Sequence, residues 1–123
     1  MRFIRLFTQD GESRFEELDA AFAPADFAPP APPLDLTTPL PAQAVMLMRA
    51  HAGWSDDAHP APARTLQLCL SGKWELTAGG ETITAVPGDI LLTEDTTGAG
   101  HGSRCLEDSL VAIVRLDDPT PDA

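Results

Sequence analysis

From residue 42 onward the chain consists of short aliphatic or β-branched segments separated by turn signals. Of all the features of the sequence, this pattern most limits the folds that the chain can adopt. The segments read QAVMLMRAH, RTLQLCLS, KWELTAG, ETITAV, DILLTED, SRCLE and SLVAIVRL. Turn-forming residues separate them at Gly53, Ser71-Gly72, Gly79-Gly80, Pro87-Gly88, 98–102 and Glu107-Asp108. Closely spaced short strands without helical periodicity are typical of an all-β barrel or sandwich. The sequence therefore predicts an antiparallel β-barrel or jelly roll.

The first 42 residues differ in character from the rest. MRFIRLF alternates like a short strand and SRFEELDA like a weaker one, and the segment 24–41, called the strap below, holds seven of the 12 prolines. Proline lacks a backbone N–H, so the strap is neither helix nor central strand. Large apolar side chains lie in or beside it, and we expect them to pack an extended strap onto the barrel: Phe22, Phe27, Leu34, Leu36 and Leu40.

The length of 123 residues is enough for one domain with its own hydrophobic core. We predict three parts within that single domain. Residues 1–42 form the N-terminal strand and strap that cover an outer face of the barrel, residues 43–116 form the barrel core, and residues 117–123 form an acidic C-terminal tail.

The charge balance excludes some classes of partner. Eight basic residues stand against 19 acidic ones, for a net charge of −11. Such a chain is repelled by nucleic-acid phosphates and by anionic lipid headgroups, so we expect neither nucleic-acid nor membrane binding. The start of the sequence does not resemble a signal peptide, and no apolar run approaches the roughly 20 residues of a membrane helix. We therefore expect a cytoplasmic protein in which Cys69 and Cys105 are free thiols.

The stretch from Gly53 to Gly72, GWSDDAHPAPARTLQLCLSG, resembles the first cupin motif, G-x5-H-x-H-x3,4-E-x6-G. Both glycines and His59 match that motif. Ala61 occupies the second histidine position, and Thr65 occupies the glutamate position. The resemblance therefore implies a metal-binding frame in which two family ligand positions hold other residues.

The second cupin motif, G-x5-P-x-G-x2-H-x3-N, matches less closely. It begins at Gly88, has Glu94 for proline and Thr96 for glycine, and reaches His101 after a two-residue insertion, with Cys105 in place of asparagine. The resemblance covers roughly residues 43–116 and identifies the chain as similar to a small single-domain cupin. The resemblance implies a barrel with a binding or active site inside it. Metal-dependent isomerases, lyases and dioxygenases belong to the same family, so the resemblance also permits such an activity.

Strand parity predicts the residues that line this pocket. Alternate side chains of a strand face opposite sides, so the residues at 65, 67 and 69 share the inner face with His59, and those at 101 and 103 follow the same rule. Asp95, next to TTGAG, is placed at the pocket mouth, whereas Asp56 and Asp57 are interpreted as solvated turn residues. The predicted pocket consists of His59, Thr65, Gln67, Cys69, Asp95, His101 and Ser103.

His59 and His101 are the candidate metal ligands and also the candidate catalytic acid–base pair. A stable zinc, iron, nickel or manganese site normally takes three or four protein donors, whereas alanine offers none and threonine is a poor one. We therefore expect no cofactor, or at most a weakly bound divalent metal. Trp54 and Trp74 can stack on a ligand or belong to the core.

Two hypotheses for the function follow. In the first, the protein binds or senses a small organic molecule in the barrel without a tight metal. In the second, it is a metal-dependent cupin enzyme of the isomerase, lyase or dioxygenase type acting on a small organic substrate. We also expect a homodimer, because small cupins commonly pair and because three outward-facing leucines are costly if exposed to water: Leu66, Leu68 and Leu70.

Overall fold

A computed structural model describes residues 1–118. Within that range the chain forms nine β-strands and no helix, so the predicted all-β fold is confirmed. The described residues accordingly include no apolar helix that could cross a membrane. Of the predicted acidic tail, residues 119–123 lie outside the described residues. The strands are β1 (Phe3–Gln9), β2 (Glu12–Leu18), β3 (Ala23–Ala25), β4 (Leu34–Leu36), β5 (Ala42–Ala50), β6 (Thr65–Ala78), β7 (Glu81–Ala85), β8 (Ile90–Thr93) and β9 (Gly102–Leu116).

Seven of the strands form one sheet that closes around a cavity. Its order is β2-β1-β8-β6-β9-β5, and β7 pairs with β6. Strands β6 and β9 are 14 and 15 residues long and are antiparallel to each other. The first half of β6 pairs with β8 and the second half with β7. The two long strands therefore belong to both halves of a jelly roll, and the cavity lies between these halves.

The corner between the two halves depends on Gly72. The pairing of β6 with β9 shifts register between Cys69 and Trp74. Gly72 has φ +84°, and a Cβ at this position would lie 2.0 Å from the Ser109 Oγ atom. Only glycine fits such a backbone at such close range. The second glycine of the first cupin motif therefore bends β6 where it crosses β9.

The N-terminal strand is part of the sheet, which corrects the expectation that it covers an outer face. Strand β1 pairs in parallel with β8 and antiparallel with β2. Leu6 of β1 is completely buried and belongs to the core. Because β8 is an otherwise free edge after its pairing with β6, the backbone groups of β1 find partners there instead of on a sheet face.

A half-buried acidic side chain fixes β1 to the end of β8. Glu94 accepts hydrogen bonds from Arg5 Nε and Arg64 Nε, each at 2.6 Å. Burial alone would raise the pKa of Glu94, but the hydrogen bonds from Arg5 and Arg64 lower it below its ordinary value. The carboxylate therefore stays ionised and connects β1 with the segment that precedes β6.

The strap forms a small two-stranded sheet of its own, in which β3 pairs with β4. It is extended and lies outside the main sheet, as its prolines predict. The expectation that its apolar side chains pack on the barrel is wrong for the single chain, because Phe27 is 68% exposed. With few N–H groups to bond to the barrel, the strap pairs with itself. Further exposed apolar side chains in or beside it are Phe22, Leu34 and Leu40.

Strand β5 is an open edge of the main sheet. It pairs with β9 on one side, and Val45 and Leu47 are 69% and 71% exposed. Of the three outward leucines, Leu66 and Leu68 are half-buried and Leu70 is exposed. The single chain thus presents apolar surface on an unpaired edge, and the homodimer stays a prediction.

Candidate functional site

The cavity between the two halves of the jelly roll has a volume of about 600 Å³. Most of the side chains that line it are apolar, and they come from β5 to β9 and from the segment that joins β5 to β6. This is the size and character of a pocket for a small organic molecule. The main apolar lining residues are Met46, Met48, Trp54, Ala61, Trp74, Leu76, Ala85, Leu91, Val111 and Ile113.

The floor of the cavity is arranged in rows across strands β8, β6 and β9. Residues that pair directly across neighbouring strands point to the same face of a sheet. Thr65 pairs with Thr93 on one side and with Arg115 on the other, and all three line the cavity. These residues are called the polar row below. The next row inward contains Gln67 between two apolar residues, so polarity falls along the floor.

The polar row contains a hydroxyl without a partner. Thr93 is 2% exposed, and its Oγ1 atom has no hydrogen-bond partner within residues 1–118. The neighbouring Thr65 Oγ1 accepts a hydrogen bond from Gln67 Nε2 at 3.3 Å. A buried hydroxyl is normally hydrogen-bonded, so Thr93 offers an unused group to a molecule in the cavity.

His101 lies on the wall of the cavity and is held from behind by Asp95. The Nδ1 atom of His101 is 2.6 Å from Asp95 Oδ2, and Ser13 Oγ donates to the same oxygen at 2.6 Å. Asp95 and Ser13 are both completely buried. A carboxylate partner favours the tautomer with its proton on Nδ1, which leaves His101 Nε2 as an acceptor. This nitrogen has no hydrogen-bond partner among the described residues.

His59 is placed next to His101 by a short antiparallel bridge. Their backbone groups exchange two hydrogen bonds of 3.1 Å, and the ring centroids lie 6.1 Å apart. Gly100 makes this approach possible, since it has φ +77° and a Cβ there would lie 1.9 Å from the His59 carbonyl carbon. The glycine in TTGAGH is therefore needed to bring the two histidines together.

Both ring nitrogens of His59 are engaged. Its Nδ1 lies 2.8 Å from the Pro60 carbonyl oxygen, and its Nε2 lies 2.8 Å from Asp56 Oδ2. The hydrogen bond to Pro60, together with that to Asp56, raises the pKa of His59 above its ordinary value. Two acceptors on one imidazole favour the doubly protonated cation. In this arrangement both ring nitrogens of His59 are occupied by acceptors of the chain itself.

Asp56 also fixes the start of β9 at the cavity wall. Its Oδ1 accepts a hydrogen bond of 2.7 Å from the Ser103 backbone N–H. Asp56 lines the cavity and is half-buried. The interpretation of Asp56 as a solvated turn residue is therefore wrong, because its carboxylate joins the segment before β6 to β9.

The donors present do not fit the metal that the fold family implies. Of the four family ligand positions, two hold Ala61 and Thr65, and a third holds His59 with both ring nitrogens engaged. Residues 1–118 contain no group of three or more histidine, cysteine or acidic side chains placed to share an ion. Among these family positions, which all lie in the described range, only His101 keeps an unengaged ring nitrogen, Nε2, and three or four donors make a stable site.

The tryptophans form an aromatic wall. Trp54 and Trp74 meet edge to face with ring centroids 5.8 Å apart, and both line the cavity. Trp74 is buried, and its Nε1 has no hydrogen-bond partner in the described part of the chain.

Deeper in the floor, burial raises the pKa of the Cys69 thiol, so this group is neutral.

The structure brings most of the predicted pocket together. Side chains at six of the seven predicted positions line the cavity. Asp95 does not line it, because its carboxylate points away from the mouth to Ser13 and supports His101 from behind. The six residues that line it are His59, Thr65, Gln67, Cys69, His101 and Ser103.

Four site residues were missed or undervalued by the sequence analysis. The Asp56-x2-His59 spacing is a local signal for the pair at 2.8 Å. Thr93 and Arg115 carry no such signal, because only the pairing of β8, β6 and β9 places them beside Thr65. Ser13 lies 82 residues from Asp95 in the sequence, and no local pattern connects the two.

Comparison with known proteins identifies the fold and no activity. No protein-family model and no curated protein matches the chain. A conserved protein of unknown function from Streptococcus pyogenes is similar in structure, with 20% identity and a TM-score of 0.51 over 62% of this chain and 65% of that one. The match thus covers slightly less than two thirds of the Streptococcus pyogenes protein.

Two further solved structures are similar. One is a protein of unknown function from Rhizobium leguminosarum, with 25% identity and a TM-score of 0.53 over 60% of this chain and 69% of that one. The other is a cupin superfamily protein from Desulfitobacterium hafniense, with 23% identity and a TM-score of 0.52 over 64% of this chain and 74% of that one. Together with the observed jelly roll, this likeness confirms the expected resemblance at the level of the fold, and the chain has a cupin-type β-barrel fold.

Proposed function

We propose that this cupin domain binds a small organic molecule inside the barrel through its own side chains, without a tightly held metal. One observation carries the proposal. The cavity of about 600 Å³ is mainly apolar, includes both tryptophans of the chain and keeps its polar groups at a few defined positions. Ligand pockets of about 300–1,000 Å³ have this composition.

The polar groups of the site support binding and orientation more than metal chemistry. His59 is held between the Pro60 carbonyl oxygen and the Asp56 carboxylate, and His101 presents Nε2 as an acceptor because Asp95 holds Nδ1. Thr93 Oγ1 and Trp74 Nε1 are buried groups that a ligand can satisfy. A ligand with polar atoms at matching positions gains these hydrogen bonds without reorganising the barrel.

The proposal is tested by what the purified protein carries. The full chain is expressed without added metal and dialysed against EDTA, and metals are then measured by mass spectrometry. Native mass spectrometry and solvent extraction identify any organic molecule that is bound. We expect less than about 0.1 equivalent of iron, zinc, nickel or manganese per chain, and saturable binding of an organic molecule. One retained equivalent of metal would overturn the proposal.

A second candidate is an enzyme that transfers protons with His101. The buried contact of 2.6 Å between His101 Nδ1 and Asp95 Oδ2 specifically favours it, because a carboxylate behind an imidazole orients it as a general base. A metal-dependent isomerase, lyase or dioxygenase has less support, since the donors do not fit. Turnover of a bound ligand that is lost in His101→Gln would select the enzyme, whereas binding without turnover would select the binding module.

We further propose a cytoplasmic location and a homodimeric assembly. Cys69 and Cys105 are buried free thiols, a state that a reducing compartment preserves. The exposed apolar side chains of β5 and of the strap support association with a second copy, which would remove them from water.

A further inference from the structure

Arg115 is a cation at the cavity mouth that lacks an acidic partner. Five of the eight basic residues form ion pairs with acidic side chains. Among residues 1–118, Arg49, Lys73 and Arg115 have no such partner, and Arg115 is the member of this group that lines the cavity. Its side chain is exposed, and in a chain with a net charge of −11 it places a positive charge at the pocket.

A second, independent observation lies in the same row. Thr93 is 2% exposed, lines the cavity and has an Oγ1 atom without a hydrogen-bond partner in the described range. Thr65 on β6 lies between Thr93 on β8 and Arg115 on β9. The three side chains therefore face the cavity at one level. A cation and two hydroxyls in line can hold the oxygens of an acid group.

The floor beyond the polar row and the tryptophan wall favour an apolar body behind that acid group. The row next to the polar row contains Leu91 and Ile113 on either side of Gln67, and Met46 continues it on β5. The aromatic wall of Trp54 and Trp74 faces the same space. Polarity is thus concentrated at one level of the floor and falls away from it.

We propose that the ligand is a monocarboxylic acid with an apolar or aromatic body, whose carboxylate binds Arg115 and the hydroxyls of Thr65 and Thr93. This inference rests on the proposed function of the cavity. A single carboxylate matches one unpaired arginine. A phosphate dianion would need more cations than the polar row supplies and would be repelled more strongly by the acidic chain.

Matched acids and amides test this inference directly. The probes are benzoate, phenylacetate and 3-phenylpropanoate, each compared with its own primary amide, which has the same shape and no charge. Binding is followed by fluorescence, because the two tryptophans of the chain both line the cavity. We expect at least one acid to bind about tenfold or more tightly than its amide, as a charge-assisted hydrogen bond predicts.

Variants locate the carboxylate. Arg115→Gln should weaken the acid about tenfold or more and leave the amide unchanged, and Thr93→Val should weaken the acid about threefold or more. The matched control is Arg49→Gln, which removes an arginine that also lacks an acidic partner in the described range but does not line the cavity. It should bind the acid as the wild type does. Unchanged circular dichroism and melting temperature show that each variant is folded.

The outcomes separate the inference from the proposed function. Equal binding of acid and amide, or acid binding that is unchanged in Arg115→Gln, would overturn the carboxylate and leave the apolar pocket standing. If none of the three acids binds, the inference is also overturned, and the organic molecule extracted from the purified protein then decides the proposed function by itself.

Discussion

Replacing Asp95 with asparagine tests the buried contact that orients His101. Asp95 is completely buried, and its Oδ2 atom accepts hydrogen bonds from Ser13 and His101, each at 2.6 Å. Asparagine has nearly the same shape but no charge. Its amide oxygen can take the place of Oδ2 and accept from both donors, but without the charge, and its NH2 group then replaces Oδ1, a buried atom with no partner among residues 1–118, and becomes a buried donor without an acceptor.

The expected loss follows from these two contacts. Hydrogen bonds to a charged group contribute about 1.5–3 kcal/mol each, and a buried donor left without a partner costs about 1–3 kcal/mol. Part of this loss is offset because the buried carboxylate itself no longer has to be desolvated. We expect Asp95→Asn to lower the free energy of unfolding by about 2–4 kcal/mol. At about 4 °C per kcal/mol, the melting temperature should fall by about 8–16 °C.

The assay is urea unfolding followed by circular dichroism at neutral pH. Asp57→Asn is the matched control, because Asp57 is an exposed carboxylate and should change stability by less than about 0.5 kcal/mol. Ser13→Ala completes a double-mutant cycle with Asp95→Asn, and we expect a coupling energy of about 1 kcal/mol or more. If Asp95→Asn unfolds like the Asp57 control, or if the coupling is zero, the buried contact does not hold His101 as described.

Four further predictions address the histidine bridge, the ion pairs of the half-buried Glu94, the family ligand positions that hold other residues, and the assembly. Gly100→Ala places a Cβ 1.9 Å from the His59 carbonyl carbon, so we expect His59 and His101 to move apart and their NMR signals to shift. Unchanged histidine signals would contradict this. Glu94→Gln removes the carboxylate partner of Arg5 and Arg64. The folded pKa of Glu94 lies below its ordinary 4.5, so the difference in unfolding free energy between wild type and variant should be full at neutral pH. This difference should shrink as the pH falls below 4.5. A gap that stays constant down to pH 2 would refute the ion pairs. Ala61→His with Thr65→Glu should raise zinc affinity by about tenfold or more in calorimetry, because it restores two family donors; unchanged affinity would show that His59 cannot leave Asp56 and Pro60. Light scattering should report a dimer for the wild type and a monomer for Leu47→Lys, because residues 42–48 of the β5 edge carry no charge and a second β5 can pair there; a wild-type monomer would refute the dimer.

The fold and part of the site were predictable because they depend on local signals. Gly79-Gly80 and Pro87-Gly88 separate strands as predicted, whereas the predicted turn at Ser71-Gly72 is a bend inside the single strand β6, at a glycine that no other residue can replace. Strand parity is a two-residue rule, so it placed Thr65, Gln67 and Cys69 on the inner face once His59 was assumed to face inward. These inferences needed no knowledge of which strands pair.

The remaining features depend on contacts between distant residues. Thr93 and Arg115 join Thr65 through the register of three strands, and Asp95 meets Ser13 across 82 positions in the sequence. The apolar side chains of the strap were expected on the barrel because exposure is costly, but Phe27 remains 68% exposed in the single chain. Hydrophobicity predicts that a residue seeks burial, and it does not say which surface provides it.

The central claim is that the barrel holds an organic ligand through its own side chains and that His59 is not a metal ligand. A high-resolution crystal structure of the protein purified without added metal, with anomalous diffraction data, tests it most directly. The predicted map shows His59 bonded to Asp56 and Pro60, and water or an organic molecule in the cavity with any acid group at Arg115. An anomalous peak within about 2.0–2.3 Å of the Nε2 atoms of both His59 and His101, with Asp56 displaced, would contradict the claim.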